Sequence, residues 1–113
     1  MKFISVPRDS IAEERLDYDM AEREELIELN LDDESFYKLL KADFFNSINK
    51  MIGKLIDDFE DEHISSLTEI KKVIDSDIFN NYSSDKDLNI VIGEIKSLFE
   101  EAYKRKTSIR FFF

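Results

Sequence analysis

The sequence has no cysteine, one proline, two glycines and one histidine. No disulfide can form without cysteine, and the scarcity of glycine and proline favours helices. No stretch approaches the roughly 18 consecutive apolar residues of a membrane-spanning helix. The opening segment, MKFISVPRDS, lacks the apolar run of a secretory signal. We therefore expect a soluble, cytoplasmic protein.

The residues that are present indicate a folded domain. Apolar residues make up 42% of the chain and aromatic residues 12%, with ten phenylalanines. Disordered chains have few such residues, because they cannot bury enough apolar surface to offset the entropy of ordering. A chain of 113 residues can bury a core of its own. We expect one acidic domain over residues 1–113.

The charge is strongly negative and unevenly distributed. A net charge of −10 argues against direct binding to nucleic acid or anionic membranes, and makes a basic protein the complementary partner. Residues 9–34, the acidic front, hold twelve acidic residues against Arg15 and Arg23. Residues 104–110, the basic tail, hold four basic residues and no acid. Four basic residues are too few to support nucleic-acid binding by counterion release, so a packed strand or helix end explains them better.

Helical spacing of apolar residues dominates between the two ends of the chain. The amphipathic pattern is strongest from Asp43 to about His63. Ser66 and Glu69 form a capping-box pattern before another apolar run. The predicted helices lie in residues 10–29, 35–40, 43–63, 67–74 and 85–104, with a polar loop from Asn80 before the last one.

The two terminal segments are rich in strand-forming residues. MKFISV is one, and TSIRFFF is the other, with Ile109, Phe111 and Phe113 alternating. These segments can pair, although nothing in the sequence requires it. We therefore predict a mainly α-helical bundle of four to five helices, and leave open a small two-stranded terminal β pairing.

The segment LIDDFEDEHI, residues 55–64, carries five carboxylates among apolar residues. On a helical wheel, Asp57, Asp58 and Asp61 lie roughly opposite the apolar face and point outward. A solvated helix face explains this arrangement as well as a binding function does. Two costs favour function, because like charges four residues apart and acids near a helix C-terminus each destabilise a helix by roughly 0.2–1 kcal/mol.

Catalytic and metal-binding patterns are incomplete. Glu60 and His63 form one E-x-x-H, but a di-iron site of the kind built from two such motifs needs a second histidine. His63 is better explained as a partly buried residue at a helix end. The calcium-loop pattern that begins at Asp75 fails, because its sixth and twelfth positions are Asn80 and Lys86. No nucleophile or phosphate-binding motif is present, so we expect no catalysis, no metal and no cofactor.

The stretch FFNSINKMIGKLIDDFEDEHI, residues 44–64, resembles a pattern in small bacterial immunity proteins of contact-dependent growth inhibition and related polymorphic toxin systems. The matching features are the Phe44–Phe45 pair, Ile48–Asn49 and the segment Leu55 to Ile64 with its acidic centre. The resemblance implies a protein without catalytic residues that binds a cognate toxin domain, often a basic nuclease. Such binding covers the toxin's active site or blocks its substrate.

Two acidic groups are candidate contacts for the toxin domain. The first is Asp57, Asp58, Asp61 and Glu62, and the second is Glu22, Glu24, Glu25 and Glu28. Acidic mimicry of nucleic acid, as in a phage anti-CRISPR or restriction inhibitor, uses the same charge and is the alternative. A regulatory adaptor and a weak metal-dependent enzyme are further possibilities. The toxin's identity and activity and the protein's oligomeric state are open.

Overall fold

The computed structural model describes residues 2–80 and 83–113, over which the chain forms five α-helices and four β-strands. The elements, in chain order, are β1 (Lys2–Pro7), α1 (Ser10–Asp17), β2 (Leu26–Leu31), α2 (Asp33–Lys41), α3 (Phe44–Ile52), β3 (Asp61–Ile64), α4 (Leu67–Ile74), α5 (Lys86–Arg105) and β4 (Ile109–Phe112). Short 3-10 helices lie at Arg23–Glu25 and Asp77–Asn80. The fold is mixed α/β, so the prediction of a mainly helical bundle is wrong.

The four strands form one antiparallel sheet in the order β2-β1-β4-β3. The terminal segments pair as β1 and β4, but they form the centre of a larger sheet instead of an isolated pair. Six consecutive residue pairs join β1 to β2, from Lys2 with Leu31 to Pro7 with Leu26. Strands β2 and β3 lie at the two edges.

Two predicted helices end early and are followed by strands. Helix α3 ends at Ile52 because Gly53 adopts the left-handed conformation, with φ of +67°, that commonly closes helices. The predicted helix over residues 43–63 is therefore wrong beyond that point. The predicted helix over residues 10–29 is also wrong beyond α1, because residues 26–31 form β2.

Side-chain caps begin the remaining helices. The side chain of Asp32 accepts from Ser35 N at the start of α2, and that of Ser66 accepts from Glu69 N at the start of α4. Asp85 caps α5, which spans almost the range that its periodicity predicts. The loop predicted from Asn80 includes residues 81 and 82, which lie outside the described residues.

The core lies on one face of the sheet. Ile4 of β1 and Phe111 of β4 are fully buried on that face, and Phe45 and Phe99 pack against Phe111 from α3 and α5. Phenylalanine supplies much of this core because each ring buries a large apolar area. Helix α1 lies on the other face, where Asp17 contacts Arg110 of β4.

Candidate functional site

The acidic segment predicted to be helical lies in a loop and an edge strand. Residues 53–60, the acidic loop, connect α3 to β3. Asn49 of α3 holds this loop, because its amide nitrogen donates to Ile56 O at 2.9 Å and its amide oxygen accepts from Ile56 N at 2.8 Å. Ile56 is buried, which anchors the middle of the loop to the core.

Three of the five carboxylates bind backbone amides. The carboxylates of Asp57 and Asp58 each accept from the next residue's amide, at 2.8 and 3.0 Å. Glu62 accepts from His63 N at 2.9 Å and from Leu55 N at 3.0 Å, which joins β3 to the start of the loop. The expected helix costs do not arise, because these acids lie on no helix. Those costs therefore give no argument for a function.

Glu62 is held in its ionised form. Partial burial raises its pKa, but the amides of His63 and Leu55 and the charge of Lys54 act in the opposite direction and dominate. The pKa of Glu62 therefore lies below its ordinary value. This carboxylate positions the loop.

Lys2 of β1 holds the acidic loop through contacts with Asp58 and Phe59. Its ammonium group pairs with Asp58, donates to Phe113 O at 3.2 Å, and lies 4.7 Å and 5.3 Å from the ring centroids of Phe36 and Phe59. A cation between two rings and a carboxylate gains from all three contacts. No sequence pattern indicates this role of Lys2, because a cation at the start of a strand carries no motif.

Two apolar side chains of the acidic loop face solvent. Phe59 is 90% exposed and Leu55 is 74% exposed, although aromatic and aliphatic side chains are normally buried. Phe59 also has a φ of +62°, which is rare for a bulky residue. Its amide donates to Phe113 O at 3.2 Å, so the residue that follows β4 stabilises this conformation. The predicted apolar face placed Leu55 and Phe59 toward the core and is wrong at both residues.

A cleft of about 390 Å³ opens beside Leu55. Leu40, Phe45 and Ile56 contribute apolar surface, and Asp43, Asp57 and Glu60 contribute carboxylates. A cleft with this lining suits a side chain that has an aliphatic stem and a positive end, because apolar and charged contacts are then both satisfied.

The second predicted acidic group lies at the other edge of the sheet. Glu22, Glu24 and Glu25 lie at the 3-10 helix before β2, and Glu28 lies on β2. Glu25 is 3.0 Å from Arg15 Nε, whereas Glu24 and Glu28 are exposed. Two strands separate β2 from β3, a distance of roughly 14 Å. The two acidic groups therefore do not form one surface.

The basic tail and the acidic front are joined in the fold. Arg110 Nη1 lies 2.6 Å from Asp17, and its Nη2 lies 3.8 Å from Glu13. Arg105 pairs with Glu101 at 2.7 Å and also donates to Arg8 O. These arginines of the basic tail bind the protein itself, as the packing explanation predicted.

His63 lies on β3 opposite Arg110 and is exposed, so its prediction as a partly buried residue at a helix end is wrong.

Over residues 2–80 and 83–113, no group of three or more histidine or acidic side chains has an arrangement that could hold a metal ion. Within the same residues, no helix is long and apolar enough to cross a bilayer.

No known protein family, curated protein or solved structure gives a significant match to this chain. The functional argument therefore starts from the chemistry of the described surface.

Proposed function

We propose that this protein is an immunity protein that binds and neutralises a cognate basic toxin domain. A nuclease is the class of toxin that fits best, because a surface that binds nucleic acid is basic. Binding through the acidic loop covers the toxin's active site or blocks access of its substrate. The observation that carries this proposal is the exposed Phe59 ring, fixed by Lys2 among acidic residues.

An exposed aromatic side chain with acidic neighbours has the composition of a protein-binding centre. Aromatic residues dominate binding energy when a partner buries them, and surrounding charges set the attraction and the orientation of the partner. Phe59 and Leu55 supply apolar area, and Asp57 and Glu60 supply negative charge beside the cleft. A compact patch of this kind suits a folded protein partner better than acids spaced along a long surface do.

The predicted contact residues divide by role. Asp57 and Asp61 are exposed and are proposed as contacts for lysines and arginines of the toxin domain. Asp58 and Glu62 are partly buried and are proposed as positioning residues, since Lys2 pairs with Asp58 and two backbone amides donate to Glu62. The group Glu22, Glu24, Glu25 and Glu28 remains the second candidate, at the other edge of the sheet.

Titration calorimetry against the protein domain encoded immediately upstream tests this proposal. We expect tight one-to-one binding that Phe59→Ala weakens by about 2 kcal/mol, roughly 30-fold in Kd. Tyr37→Ala removes another exposed aromatic residue, on α2, and should leave the affinity unchanged. An effect of equal size for both variants would contradict binding at the acidic loop.

A matched pair of double variants tests how the acidic side chains contribute to toxin binding. Asp57→Asn with Asp61→Asn should slow association at low salt, because long-range attraction speeds encounter. Glu94→Gln with Glu100→Gln removes the same charge from exposed positions on α5 and should have little effect. Absence of any binding to the upstream domain would contradict the immunity function, and binding to a DNA-binding protein instead would support nucleic-acid mimicry.

A further inference from the structure

The two edges of the sheet differ in how their backbone groups are used. At the β3 edge, the pairing with β4 turns the N–H and C=O of Asp61 and His63 outward. The carboxylate of Glu62 accepts from His63 N and from Leu55 N, so a side chain and the acidic loop occupy this edge. Another strand cannot pair here without displacing Glu62.

At the β2 edge, the Leu26 N–H donates to Arg23 O of the preceding 3-10 helix, and the other outward backbone groups of the strand belong to Glu28 and Asn30. Arg8 N donates to Glu25 O at 2.9 Å, in register with the ladder between β1 and β2. Hydrogen-bonded pairs alternate in an antiparallel ladder. The backbone N–H and C=O groups of Ile27, Leu29 and Leu31 therefore point toward β1, and those of the residues between them point away from it. In the described part of the chain, β2 has β1 as its only strand neighbour.

Strand β2 also lacks the features that usually protect an edge. It has six residues in an unbroken register, without proline or a bulge, and Glu28 is its one charged residue. Proteins commonly block such edges with bulges, prolines or inward-pointing charges, because a free ladder pairs readily with another chain. β2 is therefore ready to accept a further strand.

The surrounding charge selects which strand can pair with β2. Glu22, Glu24 and Glu25 precede the strand, Glu28 lies within it, and the whole chain has a net charge of −10. A second copy would bring two such acidic edges together, and like charges on paired strands are destabilising. A strand with lysine or arginine meets the opposite charge.

We propose that the β2 edge binds an extended basic segment of another protein as a fifth strand of the sheet. The backbone groups of Glu28 and Asn30 and the Leu26 carbonyl form the ladder, and basic side chains on one face of the added strand lie against Glu28. Apolar side chains on its other face extend the row formed by Ile27 and Leu29. This binding does not depend on the acidic loop or on the immunity function.

Residue-resolved amide exchange with a synthetic peptide tests the proposal. The probe is an alternating Lys–Val peptide of about ten residues, long enough to cover β2 at about 3.3 Å per residue. In the free protein, we expect fast exchange at Glu28 and Asn30 and slow exchange at Ile27 and Leu29. Peptide at millimolar concentration should slow the two fast amides roughly tenfold or more. An unchanged alternation at that concentration would overturn the proposal.

Two variants and a control peptide separate strand addition from simple charge attraction. Asn30→Pro removes an outward N–H that β1 does not use, which edge strands tolerate, and should abolish the protection. Glu28→Lys should weaken peptide binding while the free protein keeps its exchange pattern. An alternating Glu–Val peptide should give no protection. Equal protection by both peptides would overturn the charge selection, and protection that rises with protein concentration alone would identify a second copy as the occupant.

Discussion

The two acidic regions lie at opposite edges of one sheet, but their carboxylates have different roles. In the acidic loop, Asp58 and Glu62 bind a lysine or backbone amides and set the positions of Leu55 and Phe59. Beside β2, Glu24 and Glu28 are exposed at an edge where the backbone groups of Glu28 and Asn30 face away from the sheet. Both edges are acidic. One edge carries a fixed loop with exposed apolar side chains, and the other carries a strand that can pair with a further strand. Charge density alone therefore does not identify a binding surface or its mode of binding.

The largest effect should come from the core that supports both edges. Phe111 lies on β4, is fully buried and contacts Phe45, Phe99 and Phe113. Phe111→Ala should reduce the free energy of unfolding by about 3–5 kcal/mol, because it leaves a cavity under the sheet. Urea denaturation measures this loss, and amide exchange should show both edges weakened together. A loss below about 1 kcal/mol would contradict the central position of this ring.

A smaller change should affect the β3 edge and spare the β2 edge. Asn49→Ala removes both hydrogen bonds to Ile56 and should cost about 1–3 kcal/mol, because partly buried backbone groups lose their partners. Amides of residues 54–60 should exchange faster, whereas those of β2 should not change. Asn46→Ala, on the same helix but exposed, is the control. Equal effects of both variants would show that Asn49 does not hold the loop.

The smallest predicted effect is a pH dependence confined to the acidic loop. The pKa of Glu62 is lower in the folded chain, so its stabilising effect is complete above the pKa of an unfolded glutamate and is lost as the pH falls through the folded pKa. NMR titration should show the amides of Leu55 and His63 following this carboxyl group. Glu62→Gln should remove their transition and leave the Leu26 and Glu28 amides unaffected. A transition that survives in Glu62→Gln would assign it to another group.

Sequence patterns predicted the elements in which local and tertiary preferences agree. The apolar period of α5, the cap at Ser66 and the strand-forming terminal segments all match the structure. β2 was missed because Ile27, Leu29 and Leu31 alternate with a period of two within a stretch that also has loose helical spacing. Gly53 was a recognisable stop signal that the longer apolar period obscured.

Strand β3 and the candidate site required tertiary information. The sequence Asp61–Ile64 has little strand preference, and its conformation follows from pairing with β4, nearly fifty residues later in the chain. The exposure of Phe59 follows from that pairing and from Lys2, which belongs to the other end of the chain. The acidic composition of the candidate site was visible in the sequence, but the division between positioning and exposed residues was not.

The placement of β4 between β1 and β3 has a consequence for the order of events during synthesis. β1 and β2 are both available once about thirty residues have emerged, whereas β3 has no strand to join until residues 109–112 follow. The acidic loop also needs Phe113, whose carbonyl binds Lys2 and the Phe59 amide. Contacts over such long separations form late in folding. In a ribosome-bound chain, β1 and β2 can therefore meet well before Phe59 can reach its final position.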